Sequence, residues 1–205
     1  MSVRIVTQEQ VKDLLSMREC IDVMETAFRS IFAGNVIQPV RKVMAIPGDN
    51  VFAFMPSYDG AIESVGAKIV TVFPGNHGTA FDAHQGIVLL FETTNGSLRA
   101  IVDATAITAI RTAAVSATAT KLLARPDADS LAILGAGTQA WAHLEAMIAV
   151  RAIRTVSVWT PFPEETERFA RRAESQFALP VRAAASAESA VAGALIICTT
   201  TPARE

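Results

Sequence analysis

The sequence predicts an α/β protein in two parts: an α+β part over residues 1–112, then a doubly wound parallel sheet over residues 113–205. Three observations carry this. Between about residues 40 and 103 the chain reads as successive strands, VRKVMAI, VFAFMP, SVGAKIVTVF and GIVLLFE, with turn residues between them. From Ser130 the texture alternates instead: LAIL, a helix from Thr138, TVSVW, a helix from Glu164, a short strand near Val181, a helix, and ALIICTT. That spacing calls for parallel strands joined by crossover helices. Between the two textures Asp103 caps a long Ala/Thr-rich helix running to about Leu123, where Arg125-Pro126 breaks it.

The remaining elements have local signatures. Thr7 with Gln10, and Ser16 with Glu19, form capping boxes that start two helices. Ile21, Met24, Ala27, Phe28 and Ile31 recur at helical spacing on the second, and Gly34 stops it. Asn95-Gly96, between LLFETT and SLRAIVD, signals a hairpin because both residues tolerate positive φ. Residues 40–103 therefore read as a mainly antiparallel sheet behind two helices. Ala113, Ala114, Ser116, Ala117 and Ala119 leave the long helix thin, so that other backbone can approach it; it reads as the bridge between the two parts.

Composition narrows the class. The 205 residues are 51% hydrophobic and 19% charged, enough apolar material for a sizeable core. A net charge of -2, with arginines scattered rather than clustered, argues against nucleic acid or an anionic membrane as partner. Cys20 and Cys198 stand in no metal or redox spacing. MSVRIVTQEQVKDLL holds no basic segment followed by an apolar core, and no apolar run approaches the roughly 18 residues of a membrane span. A cytoplasmic, globular protein is expected. His77, Asp82 and His84 lie close together, but their spacing on an irregular loop fits no standard site, so no metal is expected.

The chemistry-bearing motif is Gly135-Ala136-Gly137-Thr138-Gln139-Ala140, a G-x-G-x-x-A run between the strand LAIL and a helix. Glycines also end strands for purely structural reasons, but this strand-to-helix context is that of a Rossmann-type dinucleotide loop. The first glycine makes the turn, the second admits a pyrophosphate, and the small sixth residue lets helix pack on strand. The carboxylate expected at the end of the second strand is missing: VSVW runs into Thr160-Pro161-Phe162-Pro163, and Glu164 and Glu165 fall in the next helix. Without it, neither NAD nor NADP is rejected. A mild lean to NADP is expected, limited because no arginine directly follows Thr160 and the nearest is Arg168.

Taken in order, RKVMAIP, FMPSYDG, GAKIVTVFPGN, HQGIVLLFETTNGSLRAIVDATAITAIRTAA, LAILGAGTQA and ICTTTP resemble the ornithine cyclodeaminase/mu-crystallin family over essentially the whole chain. The resemblance implies a homodimerising substrate domain joined to a Rossmann domain. It also implies NAD- or NADP-dependent chemistry on a small amino or cyclic imino acid. The reaction would be cyclodeamination of ornithine to proline, imino-acid reduction or amino-acid dehydrogenation. Each moves a hydride at the carbon between a carboxylate and a nitrogen. Arg41, Lys68 and Arg111 match the positions that bind the substrate carboxylate and neighbouring atoms, Arg111 also bordering the cofactor. Thr138 and Gln139 join Gly135 and Gly137 as nucleotide-loop contacts. Thr160 occupies the ribose position, and Thr201 matches a threonine after the fourth Rossmann strand.

Two departures weigh against strict use of ornithine. Ala83 stands where a nucleotide-contacting Thr is frequent, and Ala53 where ornithine-using relatives align a carboxylate. Each cation also has a plainer reading: Arg41 as a surface residue at a strand start, Lys68 as an edge-strand charge, Arg111 as an ion-pair partner. The alternative to an enzyme is a non-catalytic NAD(P)H- and small-ligand-binding protein of the mu-crystallin type; retention of the three cations favours the enzyme. The family extends past the position of Glu205, and the resemblance puts the catalytic aspartate there. The chain is therefore expected to be truncated at its C-terminus and inactive alone, with no acid/base assignable within it.

Overall fold

The computed structural model describes residues 2–76 and 78–201. The chain forms two compact units, one of residues up to Ser16 with Glu25–Thr108, the other of Met17–Met24 with the residues from Ala109 onward.

The first unit is built on a seven-stranded sheet. Strand β1 (Arg4–Val6) leads into helix α1 (Gln8–Leu14), whose capping box closes in both directions: the Thr7 N–H donates to Gln10 Oε1 at 2.9 Å, and the Gln10 N–H to Thr7 Oγ1 at 3.4 Å. Helix α2 (Met17–Phe32) starts directly after Ser16 and stops before Gly34, which sits at φ +77°. Then come β2 (Val36–Ile37), β3 (Lys42–Ile46), β4 (Asn50–Asp59), β5 (Ser64–Val72), β6 (His84–Phe91) and β7 (Leu98–Asp103). The order is β1-β7-β6-β5-β4-β2, with β3 also on β4. All pairs are antiparallel except β1 with β7. The sequence reading contained neither β1 nor β2, because two or three residues show no period.

The β6–β7 connection also differs from a two-residue hairpin. Only Gly96 takes positive φ, at +73°. The Gly96 N–H donates to the Glu92 carbonyl, the Glu92 N–H to that of Ser97, and Asn95 Oδ1 accepts from the Ser97 N–H. The loop is therefore longer, with one left-handed residue closing it.

Strand alternation gives the sheet two faces. One carries Ala53, Met55, Lys68, Val70 and Val88; Ala53 and Val70 are buried and pack with Ala104 at the start of the next helix. The strands approach closely here. A Cβ on Gly86 would fall on the carbonyl oxygen of Ile69, so no side chain fits. The opposite face carries the paired rows Phe54, Ile69, Ile87 and Leu89, Ile101, Ile5, of which Phe54, Ile87 and Ile5 stay exposed.

Helix α3 (Ala104–Leu123) is capped by Asp103, whose Oδ1 accepts from the Thr105 and Ala106 N–H groups at 2.9 and 3.1 Å. In the second unit its alanines Ala113, Ala114 and Ala117 are wholly buried. Thr118 Oγ1 lies 2.9 Å from the Ala114 carbonyl and 3.3 Å from that of Ile21. This explains why Met17–Met24 joins the second unit, although that stretch reads from sequence as belonging to the first part. The unit continues through β8 (Ser130–Leu134), α4 (Thr138–Val150), β9 (Thr155–Trp159), α5 (Pro163–Phe177), β10 (Val181–Ala183), α6 (Ala187–Val191) and β11 (Ile196–Thr199). The four strands are parallel in the order β10-β9-β8-β11. The order reverses beside β8, and the crevice outside the carboxyl ends of β8 and β11 is where such sheets bind ligands.

Among the described residues no helix is long and apolar enough to cross a membrane, and no group of three His, Cys, Asp or Glu could hold a metal ion; His77 lies outside them. Both cysteines are free and buried, and burial pushes the Cys198 thiol up to about 11.

Candidate functional site

The glycine loop sits at the switch point. Gly135 takes φ +122°, and its N–H donates to the Trp159 carbonyl at the end of β9 (2.8 Å). On the other side, the Thr200 N–H and Oγ1 both donate to the Leu134 carbonyl, at 2.8 and 2.9 Å. A Cβ on Gly135 would stand 2.5 Å from Thr200 Oγ1. Gly137 is the reverse case: as N-cap of α4 it has nothing within 4 Å of a Cβ. Gly135 is thus glycine for the fold, and Gly137 keeps space open in front of a helix N-terminus.

That space suits a diphosphate. No side chain caps α4, and its first turn has no acidic residue, so the N–H groups and the positive end of the helix face an anion unopposed. Ala140 is fully buried and seats the helix on the sheet. Thr138 is exposed at the mouth, and Gln139 is half-buried. Thr201 is exposed; its neighbour Thr200, which sequence reasoning passed over, is the residue packed on the loop.

Thr160 is only 6% exposed and its hydroxyl is engaged within the turn after β9. Its Oγ1 accepts from the Phe162 N–H at 3.0 Å and lies 2.9 Å from the Phe162 carbonyl and 3.1 Å from Thr166 Oγ1. What faces the loop is the wall of α5. A cavity of about 320 Å³ is lined by Gly137, Thr138, Trp141, Glu165, Arg168 and Arg172, among others. Helical periodicity could have placed Glu165, Arg168 and Arg172 on one face of α5, but not against this loop.

A histidine supports the loop from behind. His143, one turn along α4, is buried, with Nδ1 2.7 Å from the Gln139 carbonyl and Nε2 3.0 Å from Ser116 Oγ on α3. Since a carbonyl only accepts, Nδ1 carries the proton and Nε2 takes the Ser116 hydroxyl. Burial holds the imidazole below its ordinary pKa, against the opposing pull of the Gln139 carbonyl.

The three cations are distributed as follows. Lys68 lies on β5, an interior strand rather than an edge, paired with Met55 and Val88, and its Nζ is 3.4 Å from Thr108 Oγ1. Arg41 is exposed immediately before β3. Continuing the β3–β4 register by one residue sets it across from Met55, hence in the row of Lys68 and roughly 10 Å away, two strand spacings. Arg111 is half-buried on the second-unit stretch of α3, where its charge partly offsets the upward push of burial on the Cys20 thiol. Ala53 is 4% exposed between Val43 and Val70, and Ala83 is half-buried just before β6.

The sequence profile of the ornithine cyclodeaminase/mu-crystallin family matches residues 1–205. The chain belongs to this family. It is 41% identical over 202 residues to ketimine reductase mu-crystallin of Mus musculus, covering 96% of this chain and 63% of that protein. Its fold is similar to the Thermococcus litoralis Delta(1)-pyrroline-2-carboxylate reductase solved with NADH and L-proline, at a TM-score of 0.95, 30% identity, and coverage of 98% of this chain and 63% of that one. It is also similar to an archaeal alanine dehydrogenase dimer with bound NAD, at a TM-score of 0.93, 29% identity, and coverage of 100% and 62%. The chain thus spans somewhat under two thirds of the length of these family members.

Two predictions arise from the loop. Gly137→Val should cost the fold no more than ~1 kcal/mol, a helix-cap effect, yet weaken NAD(P)H binding at least roughly tenfold. Gly135→Ala should instead lower stability by roughly 2–4 kcal/mol, through positive φ and the clash with Thr200. Thermal melts and fluorescence titration separate the two, and equal melting losses would refute the distinction. His143 has a folded pKa below the unfolded value of about 6.5, so the unfolded state binds more protons on acidification. Its contribution is fully present above that value and is lost as pH falls below it. Urea midpoints at pH 7.5 and 5.5 should therefore differ less in His143→Gln than in the parent protein.

Proposed function

We propose that the protein is an NAD(P)-dependent reductase of a small cyclic imino acid, the carboxylated C=N being reduced to the amine. The observation that carries this is the open diphosphate cradle at Gly137, in a chain whose relatives of similar sequence and fold include two imino-acid reductases. A bound NAD(P)H would supply the hydride. Gly135, Gly137, Thr138 and Gln139 hold its diphosphate, Thr160 shapes the turn at the ribose position, and Thr201 borders the far side. Arg41, Lys68 and Arg111 take the substrate carboxylate; guanidinium forks and an ammonium suit a planar anion, and Arg111 also borders the dinucleotide. Lys68 is oriented for this by Thr108. The reaction consumes one hydride and one proton, and no described residue is assigned the proton transfer.

Buried Ala53 favours reduction over cyclodeamination. It sits on the face of Lys68 and offers no carboxylate to the distal amine of a diamino acid. Absence of a carboxylate at the ribose position supports NADP at least as well as NAD. A non-catalytic binding protein remains the second reading, opposed by the three cations. A cytoplasmic enzyme of amino-acid metabolism fits this chemistry.

Residues 1–205 alone should not turn over; with Delta(1)-pyrroline-2-carboxylate, a full-length form should consume NAD(P)H one-for-one at 340 nm. Release of ammonia from ornithine with no net change in cofactor would establish the cyclodeaminase instead, and binding without turnover the binding protein. Arg111→Ala should raise KM and lower kcat together; unchanged kinetics would refute its role. Exposed Phe54, Ile87 and Ile5, on one face of the sheet, support assembly as a homodimer through that face. Light scattering should give twice the chain mass, and Phe54→Lys should shift it towards monomer; a monomeric parent protein would contradict this.

A further inference from the structure

We infer that Arg168, seconded by Arg172, is the residue that reads the adenosine 2′-phosphate of the dinucleotide and so sets the preference for NADPH over NADH. The inference rests on the dinucleotide reading of the glycine loop and names a determinant that the loop itself lacks.

The hydroxyl at the ribose position is occupied: Thr160 Oγ1 is buried in its own turn. Selection must therefore come from elsewhere on the cavity wall. A ligand with its diphosphate at Gly137 has its nucleoside half over the end of β9, and the wall there is α5. The three arginines of α5 have separate fates. Arg171 pairs with Glu167 one turn back, at 3.1 Å. Arg172 sits over the Trp141 ring, its guanidinium carbon 3.8 Å from the centroid. Trp141 is itself set by Phe169 and Phe177, each 5.5 Å away between centroids. Arg168 lines the cavity and makes no ion pair or hydrogen bond among the described residues.

Two guanidiniums and one carboxylate, Glu165, line the cavity from the same face of α5, leaving a net positive wall. A phosphate suits it, as a planar fork can grip two phosphate oxygens. A 2′-hydroxyl gains no charge-assisted bond there. Glu165 acts oppositely: it repels a 2′-phosphate and can accept from a ribose hydroxyl. Glu164, its neighbour, is exposed and absent from the cavity. The balance of Arg168 against Glu165 is thus the discriminating element.

The test is titration of the purified protein with NADPH, NADH and 2′,5′-ADP, followed by tryptophan fluorescence. The parent protein should prefer NADPH, and 2′,5′-ADP should compete better than 5′-AMP. Arg168→Ala should weaken NADPH and 2′,5′-ADP roughly ten- to a hundredfold, the range of a charge-assisted hydrogen bond, and change NADH less than about threefold. Arg168→Lys should retain part of the loss, and Glu165→Gln should strengthen NADPH relative to NADH. Because Arg168 is exposed, retained NADH binding also reports an intact fold. Equal losses for both dinucleotides, or an NADPH affinity untouched by Arg168→Ala and Glu165→Gln alike, would overturn the inference while leaving the reductase reading in place. A parent protein that binds neither dinucleotide would overturn both.

Discussion

At Gly135 three strand ends meet. Its N–H closes on the carboxyl end of β9 through the Trp159 carbonyl, and its missing side chain admits Thr200, just past the end of β11. Only a residue at φ +122° can turn the chain out of β8 here. The direction in which α4 leaves, the open space before Gly137, and the distance to the wall of α5 all depend on this one turn. His143 fixes the same helix from the other side by joining the Gln139 carbonyl to Ser116 on α3. The loop is therefore held by hydrogen bonds at both ends and asks little reorganisation of a ligand.

The first unit obeys a different constraint. Its sheet buries small residues, Ala53 and Val70, against Ala104 at the start of α3, and glycine at position 86 lets the strands close up. A cation on this face, Lys68, needs a polar partner when half-buried, and Thr108 supplies one. Continued one residue beyond the start of β3, the register would set Arg41 across from Met55 in the same row. On the proposed reading, Lys68 on this rigid face is one of the cations that take the substrate carboxylate.

Much of this was legible in the sequence because it depends on local chemistry. The Thr7–Gln10 box, the Asp103 cap, the stop at Arg125-Pro126 and the strand–loop–helix context of Gly135 all act within a few residues. What escaped depends on tertiary packing. Strands β1 and β2 are too short to show a period and exist through pairing with β7 and β4. Asn95-Gly96 has the composition of a two-residue turn but forms a longer loop. Thr160 has the residue type of a ribose contact, yet its hydroxyl is consumed by Phe162 and Thr166. The sequence marks Arg168 only as the arginine nearest Thr160; that it lines the cavity follows from the packing of α5 beside the glycine loop.

The most direct measurement is backbone hydrogen exchange of the protein with and without NADPH. The account predicts slowed exchange concentrated at Ala136–Trp141, where the first N–H groups of α4 meet the diphosphate, and at Thr166–Arg172 on α5. Protection confined to other segments, or none at saturating NADPH, would contradict the claim that this loop is a dinucleotide site.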